Sequence, residues 1–316
     1  MKKTIAAVLL LCLALSLAAC GESDTARDEA APVSIVTTVF PAYDFARQIA
    51  GERAEVSLLV PPGAESHSFE PTARDMIRVQ ECTLFFCNGG ESEAWVDDLL
   101  AEQPVEALRM LDCVEALEEE EKEGMQELHE EHEHEEEEEG PEYDEHVWTS
   151  PVNAVLICEA LCERLCALDP EGESLYRANL ERYCGQLRLL DEAFRRTVDG
   201  AKYHTVVFAD RFPVRYFVEE YGLEYFAAFP GCADDTEPAA RTVAFLIDRV
   251  REEGLPAVFY IEFSNEKMAD VVSEDTGCRK LLFHSCHNVS AEDLENGVTY
   301  LQLMWGNVNA LKEALS

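Results

Sequence analysis

Eight histidines stand in this 316-residue chain, and all but His204 fall into two groups. His67 lies in PPGAESHSFEP, His146 in DEHVWTSP, and His284 and His287 in FHSCHNVS. Neutral imidazole is the commonest side-chain ligand for zinc and similar ions, so histidines that converge from such separate places would make a shared metal site. Asp210 and Arg211 in VVFADRF and Glu262 in YIEFSNEK add polar groups just beyond other apolar runs. His129, His132 and His134 form the second group, interleaved with glutamates in LHEEHEHEEEEEG. Such a tract offers many weak nitrogen and oxygen ligands that would concentrate a divalent cation near a tighter site. It is not the HExxH zinc-protease motif, because Glu133 stands where the second histidine belongs. No GxxxxGK[ST] phosphate loop and no GxSxG nucleophile elbow occurs, so the chain is neither a P-loop ATPase nor a hydrolase of the elbow type.

Short β-branched runs alternate with longer amphipathic ones from residue 33, the pattern of βα units around a mostly parallel sheet. The runs predict strands at 33–39, 55–60, 83–87 and 107–111, then at 204–209, 224–229, 257–261 and 280–284. Helices are expected at 41–51, 71–80 and 151–168, each led by a proline near its first turn, and a closing helix at 291–314. Between the two sets of strands, residues 171–199 carry one long helical pattern with Leu175, Leu180, Tyr183, Leu187, Leu190 and Phe194 at spacings of three to five. At 1.5 Å per residue that helix would be about 43 Å long, enough to cross a domain. The fold class is therefore α/β: two (β/α) lobes, each with a mostly parallel sheet, joined by a long backbone helix. The lobes are placed at 33–168 and 201–316, with the joining helix at 169–200. In open α/β sheets ligands bind beyond the carboxyl ends of the strands, where His67, Asp210, Glu262, His284 and His287 fall.

The chain carries 25 Lys and Arg against 64 Asp and Glu, a formal charge of −39 that disfavours any polyanionic partner such as nucleic acid. Residues 115–145 alone hold 18 acidic residues and the single Lys122, which reads as a solvated loop without fixed structure. At the N-terminus, Lys2 and Lys3 precede an apolar run too short to span a membrane, and then Leu17-Ala18-Ala19-Cys20. This looks like the export signal and lipobox of a bacterial lipoprotein, with Cys20 as the lipidated residue and 21–32 as a flexible tether. Ten further cysteines remain after Cys12 and Cys20. Cys158, Cys162 and Cys166 recur every four residues along one helical stripe, where cysteine serves as a small buried hydrophobe, with a metal or disulfide role as the alternative.

The lipobox, GAESHSFEPTARD around His67, the His/Glu tract, DEHVWTSP, YRANLERY and the terminal TYLQLMWGNVNAL together resemble the metal-binding lipoproteins of bacterial ABC transporters for zinc or manganese, the cluster A-I binding proteins. The resemblance covers nearly the whole chain beyond the signal. It implies two (β/α) lobes on a rigid backbone helix, with a divalent ion held in the cleft by four side chains. His67 and His146 match the first two ligand positions. The third, commonly His or Glu five residues before a tyrosine, falls on Arg211, counted from Tyr216. Arginine cannot ligate a cation, which makes its neighbour Asp210 the candidate. The fourth, commonly Asp after the last strand, falls on His284, with Glu262 as a reserve carboxylate.

Three histidines with at most one carboxylate favour zinc over manganese, which tolerates more oxygen ligands. The resulting expectation is a non-enzymatic, extracytoplasmic solute-binding protein, monomeric and lipid-anchored through Cys20, that delivers Zn²⁺ to a membrane permease. Manganese is the alternative cargo. A secreted zinc hydrolase with Glu262 as general base is the alternative from another class, and a surface adhesin without tight metal binding is a third.

Overall fold

The computed structural model describes residues 33–102, 104–126, 142–233 and 238–316. Two four-stranded sheets, parallel throughout, share one topology. The first has β1 (Val33–Thr37), β2 (Ala54–Leu58), β3 (Leu84–Cys87) and β4 (Ala107–Arg109) in the order β2-β1-β3-β4. The second has β5 (Thr205–Phe212), β6 (Glu224–Pro230), β7 (Ala257–Tyr260) and β8 (Arg279–Leu282) in the order β6-β5-β7-β8. The helices α1 (Phe40–Ala50), α2 (Ala73–Glu81), α3 (Trp95–Glu102), α4 (Pro151–Leu168) and α5 (Glu173–Asp199) are followed by α6 (Arg215–Tyr221), α7 (Ala240–Glu253), α8 (Lys267–Thr276), α9 (Ala291–Glu295) and α10 (Tyr300–Ala314).

Parallel sheets need cover on both faces, and the central strands β1, β3, β5 and β7 are accordingly mostly buried. Val36, Phe85 and Cys87 of the first sheet pack with Val79 of α2 and Leu99 of α3, and Val207 and Val258 of the second with Leu246 of α7 and Val272 of α8. The opposite faces of both sheets belong to one continuous core containing Ile35, Phe86, Phe208 and Phe259. α5 buries Tyr176, Tyr183, Leu187, Leu190 and Phe194 in that core and packs against α1, α4 and α10. Its 27 residues make a rod of about 40 Å. Cys158 and Cys162 of α4 lie fully buried in the same core, and all ten described cysteines are free.

Strands β1, β2 and β8 end two residues earlier than the pattern read along the chain, and four other features differ from it. β5 does not stop at 209 but runs on through Asp210 and Arg211, because a bulge between Phe208 and Arg211 lets Arg211 and Phe212 pair with Phe229 and Pro230 of β6. β4 is shorter than 107–111, since Leu111–Cys113 turns into a single 3-10 turn. The closing helix is broken between α9 and α10, where Gly297 takes φ +70 and Thr299 with Gln302 makes a capping box that starts α10 afresh. Finally, the acidic segment is ordered at both ends. Glu118 bridges Tyr143, Met125 is buried, and the N–H of Gln126 donates to the Ala228 carbonyl of β6 at 2.9 Å. Cys20, the tether 21–32 and the tract bearing His129, His132 and His134 lie outside the described residues. No helix among the described residues is long and apolar enough to cross a membrane.

Candidate metal centre

His67 follows β2 in the segment that leads to α2, and three bonds to Glu65 shape that segment. Glu65 Oε1 accepts from the N–H groups of Ser66 (3.0 Å) and His67 (3.4 Å), while Glu65 Oε2 is held by Arg211 Nη1 at 2.9 Å. His146 stands just before the 3-10 turn that opens α4. Asn88, at the end of β3, donates to the Glu145 carbonyl at 3.0 Å, and the Tyr216 hydroxyl donates to the Asp144 carbonyl at 2.8 Å. Asp144 Oδ1 then accepts from the His146 N–H at 2.8 Å and lies 3.2 Å from His146 Nδ1. A carboxylate in that place puts the proton on Nδ1 and leaves Nε2 with its lone pair, the arrangement by which proteins orient a metal-ligating histidine.

The third residue to arrive is His287, from the loop after β8. Cys286, at φ +64, turns the chain so that His287 and His284 diverge. The loop is then pinned to elements from the first half of the chain. Trp148 Nε1 donates to the Ser285 carbonyl (2.8 Å), and Asn288 Nδ2 donates to the carbonyls of Pro61 (2.8 Å) and Ala64 (2.9 Å). The Ser66 hydroxyl meets His287 Nε2 at 2.6 Å.

His67, His146 and His287 thereby bring one ligand nitrogen each within 4.8 Å of one another. Their ring centroids stand 4.8 to 5.3 Å apart, with Trp148 5.0 Å from His287 as one wall. His146 is wholly buried, and its Nε2 has no hydrogen-bond partner among the described residues. An orphaned buried nitrogen costs about 1–3 kcal/mol unless something occupies it. Burial, reinforced by the neighbouring His146, pushes His67 down to about 3, and burial with its two histidine neighbours holds His287 well below the usual range. Both are neutral at physiological pH, the form that binds a metal. For His146 burial acts downward too, but the carboxylates of Asp144, Glu145 and Glu119 outweigh it and raise the imidazole. The three rings form one side of a cavity of about 450 Å³ whose other side includes Asp210, Arg211, Glu262 and Ser264.

The remaining site residues expected from sequence are occupied otherwise. His284 is not in the three-histidine cluster. Its Nδ1 accepts from the Cys286 N–H at 2.9 Å, and its backbone is clamped by Asn307 of α10 (2.8 Å at both N–H and carbonyl). Glu262 accepts from the N–H of Ser285 (2.7 Å) and its hydroxyl (2.5 Å), fixing the loop that carries His287. Asp210 accepts from the N–H groups of Arg211 (2.9 Å) and Ile261 (3.3 Å), and burial raises its carboxyl. These three shape the loops around the cluster. The sequence placed His287 just beyond a strand end but gave the ligand position to its neighbour His284, three residues earlier.

The family model for the zinc-uptake complex component A, periplasmic, matches residues 35–314. The chain belongs to this family. It is 30% identical over 319 residues to the high-affinity zinc uptake system protein ZnuA of Bacillus subtilis (strain 168), a match covering 98% of this chain and 96% of that one. It is also 30% identical to the zinc-binding lipoprotein AdcA of Streptococcus pneumoniae serotype 4, where 99% of this chain matches 61% of a longer protein. The Zn(II)-bound ZnuA-like domain of Streptococcus pneumoniae AdcA shares its fold with a TM-score of 0.74 at 27% identity, over 90% of this chain and 99% of that one. The metal-dependent lipoprotein YcdH of Bacillus subtilis gives 0.75 at 25% identity, over 90% and 100%. As a ZnuA-family chain, the protein is the substrate-binding component of an ABC metal-uptake system, and its two parallel four-stranded sheets are the two lobes of that fold.

Proposed function

We propose that this protein captures Zn²⁺ outside the cytoplasm on His67, His146 and His287 and delivers it to an ABC permease in the membrane. The observation that carries the reading is the convergence of three imidazoles on a buried His146 Nε2 that has no other partner among the described residues. Three imidazole nitrogens suit zinc, which accepts tetrahedral nitrogen-rich shells, better than manganese, which favours oxygen. Asp144 orients His146, Ser66 meets His287, and the Arg211–Glu65 pair holds the backbone of His67, so each ring has its own support. Both Asp210 oxygens accept from the backbone N–H groups of Arg211 and Ile261, so a water completes the shell. A hydrolytic role is less well supported, since Glu262, the residue that would act as base, is committed to Ser285.

In this reading Cys20 carries the lipid anchor, the protein is a monomer, and the His/Glu tract gathers cations at low affinity. The test is calorimetric zinc titration of the purified protein beside a variant lacking only 127–141. The deletion spares Met125 and Gln126, which pack against the rest of the fold. One tight equivalent should survive and the weak ones should vanish; loss of the tight equivalent would contradict the division of roles.

A further inference from the structure

A second trio of ligand atoms adjoins the three-histidine cluster. His67, Glu145 and Cys232 bring one nitrogen, one carboxylate oxygen and one sulfur within 4.8 Å of one another. His67 belongs to both trios, and its Nδ1 stands 3.9 Å from Glu145 Oε2. Glu145 and Cys232 do not line the cavity that His67, His146 and His287 border, although their neighbours His146 and Gly231 do. Its carboxylate and thiol donors are each held by a neighbouring element. Glu145 accepts from the N–H of Ser92 (2.8 Å) and from its hydroxyl. Cys232 follows β6 in a loop whose backbone donates to Glu119 Oε1 at 3.4 Å. Its neighbour Gly231 lies so close to the cluster that an added Cβ would meet His146 Cε1 and Asp144 Oδ2 at 3.2 Å.

We propose that His67, Glu145 and Cys232 form a second holding position for the same cation, through which the ion passes on its way to or from the three histidines. The inference rests on the zinc-cargo reading above. Ligand atoms around a tetrahedral zinc stand roughly 3.5 Å apart, given Zn–N of about 2.0–2.1 Å and Zn–S of about 2.3 Å, so the trio needs only a small contraction to close on an ion. Once the ion has displaced the Cys232 proton to solvent, a thiolate, a carboxylate and a neutral imidazole cancel the charge of a divalent ion, and the sulfur selects zinc-like metals over manganese and calcium. The unpartnered Nε2 of His146 beside the shared ring gives the ion its next ligand. Because both positions draw on His67, an ion held at one excludes a second ion from the other.

Cobalt(II) serves as the probe, since a cobalt–thiolate bond produces a charge-transfer band in the near ultraviolet that histidine ligation lacks. His287→Ala dismantles the three-histidine position. With one equivalent of cobalt this variant should show the sulfur band, and His287→Ala with Cys232→Ser should lose it. His146→Ala is the parallel variant should the first not fold. Absence of the band in the single variant, or its survival in the double one, overturns the proposal. The zinc-cargo reading fails separately, and takes the proposal with it, if cobalt gives the unaltered protein no tetrahedral d–d bands. In the single variant zinc should also protect Cys232 from alkylation by iodoacetamide, read by peptide mass; equal alkylation with and without zinc counts against the second position.

Discussion

The two sheets have the same strand order and the same parallel sense, yet the polar residues beyond their strands do different work. After the first sheet, His67 and His146 arrive with hydrogen bonds on their backbone or on one ring nitrogen, and His146 keeps the other nitrogen free. After the second sheet, Asp210, Glu262 and Nδ1 of His284 accept from backbone N–H groups nearby, and Glu262 also from the Ser285 hydroxyl. The single residue the second half contributes to the cluster, His287, sits in a loop bonded to Trp148, Pro61 and Ala64 of the first half. Residue type and position after a strand therefore do not separate ligand from scaffold; the separation lies in convergence, which brings His67, His146 and His287 together and leaves His284 out.

This contrast can be broken in order of expected effect. Replacing His146 with Ala should abolish tight zinc binding in calorimetry, a larger loss than the roughly 10–100-fold typical of residues that only orient a ligand. Asp144→Asn should fall within that roughly 10–100-fold range, because it leaves the imidazole present but alters its proton and tilt. Glu262→Gln on the scaffold side should lower stability toward urea by about 1–3 kcal/mol while zinc affinity changes little, since a charged acceptor of two bonds becomes a neutral one. A last effect is one of pH and leaves the metal site untouched. Glu93 is buried beside the first sheet, and desolvation pushes its carboxyl from 4.5 up to about 7 although it accepts from the Gly89 N–H. A carboxyl raised by folding favours the native state fully below the unfolded value and loses that contribution as pH rises toward the folded one. Metal-free protein should thus lose stability relative to Glu93→Gln between about pH 4.5 and 7. A constant difference across that range would remove Glu93 from the account.

Much of the architecture could be read from the chain because local signals agreed with it. α4 spans the expected 151–168, since Ser150 caps it and Pro151 suits its first position. α5 follows from an unbroken apolar stripe. The ligand set was harder to read. His284 and His287 are three residues apart, and what sends them in different directions is the left-handed turn at Cys286, a conformation that glycine usually announces and cysteine does not. The bulge that carries β5 through Asp210 depends on pairing with β6, a long-range contact without a local signature. Cys232 belongs to no motif, and only the packing of the loop after β6 brings it to His67.

The central claim, that the second half supplies His287 and not His284, is tested most directly by zinc calorimetry on His284→Ala and His287→Ala side by side. The account predicts that His287→Ala loses the tight equivalent while His284→Ala keeps it. Tight binding that survives His287→Ala and disappears in His284→Ala would contradict it.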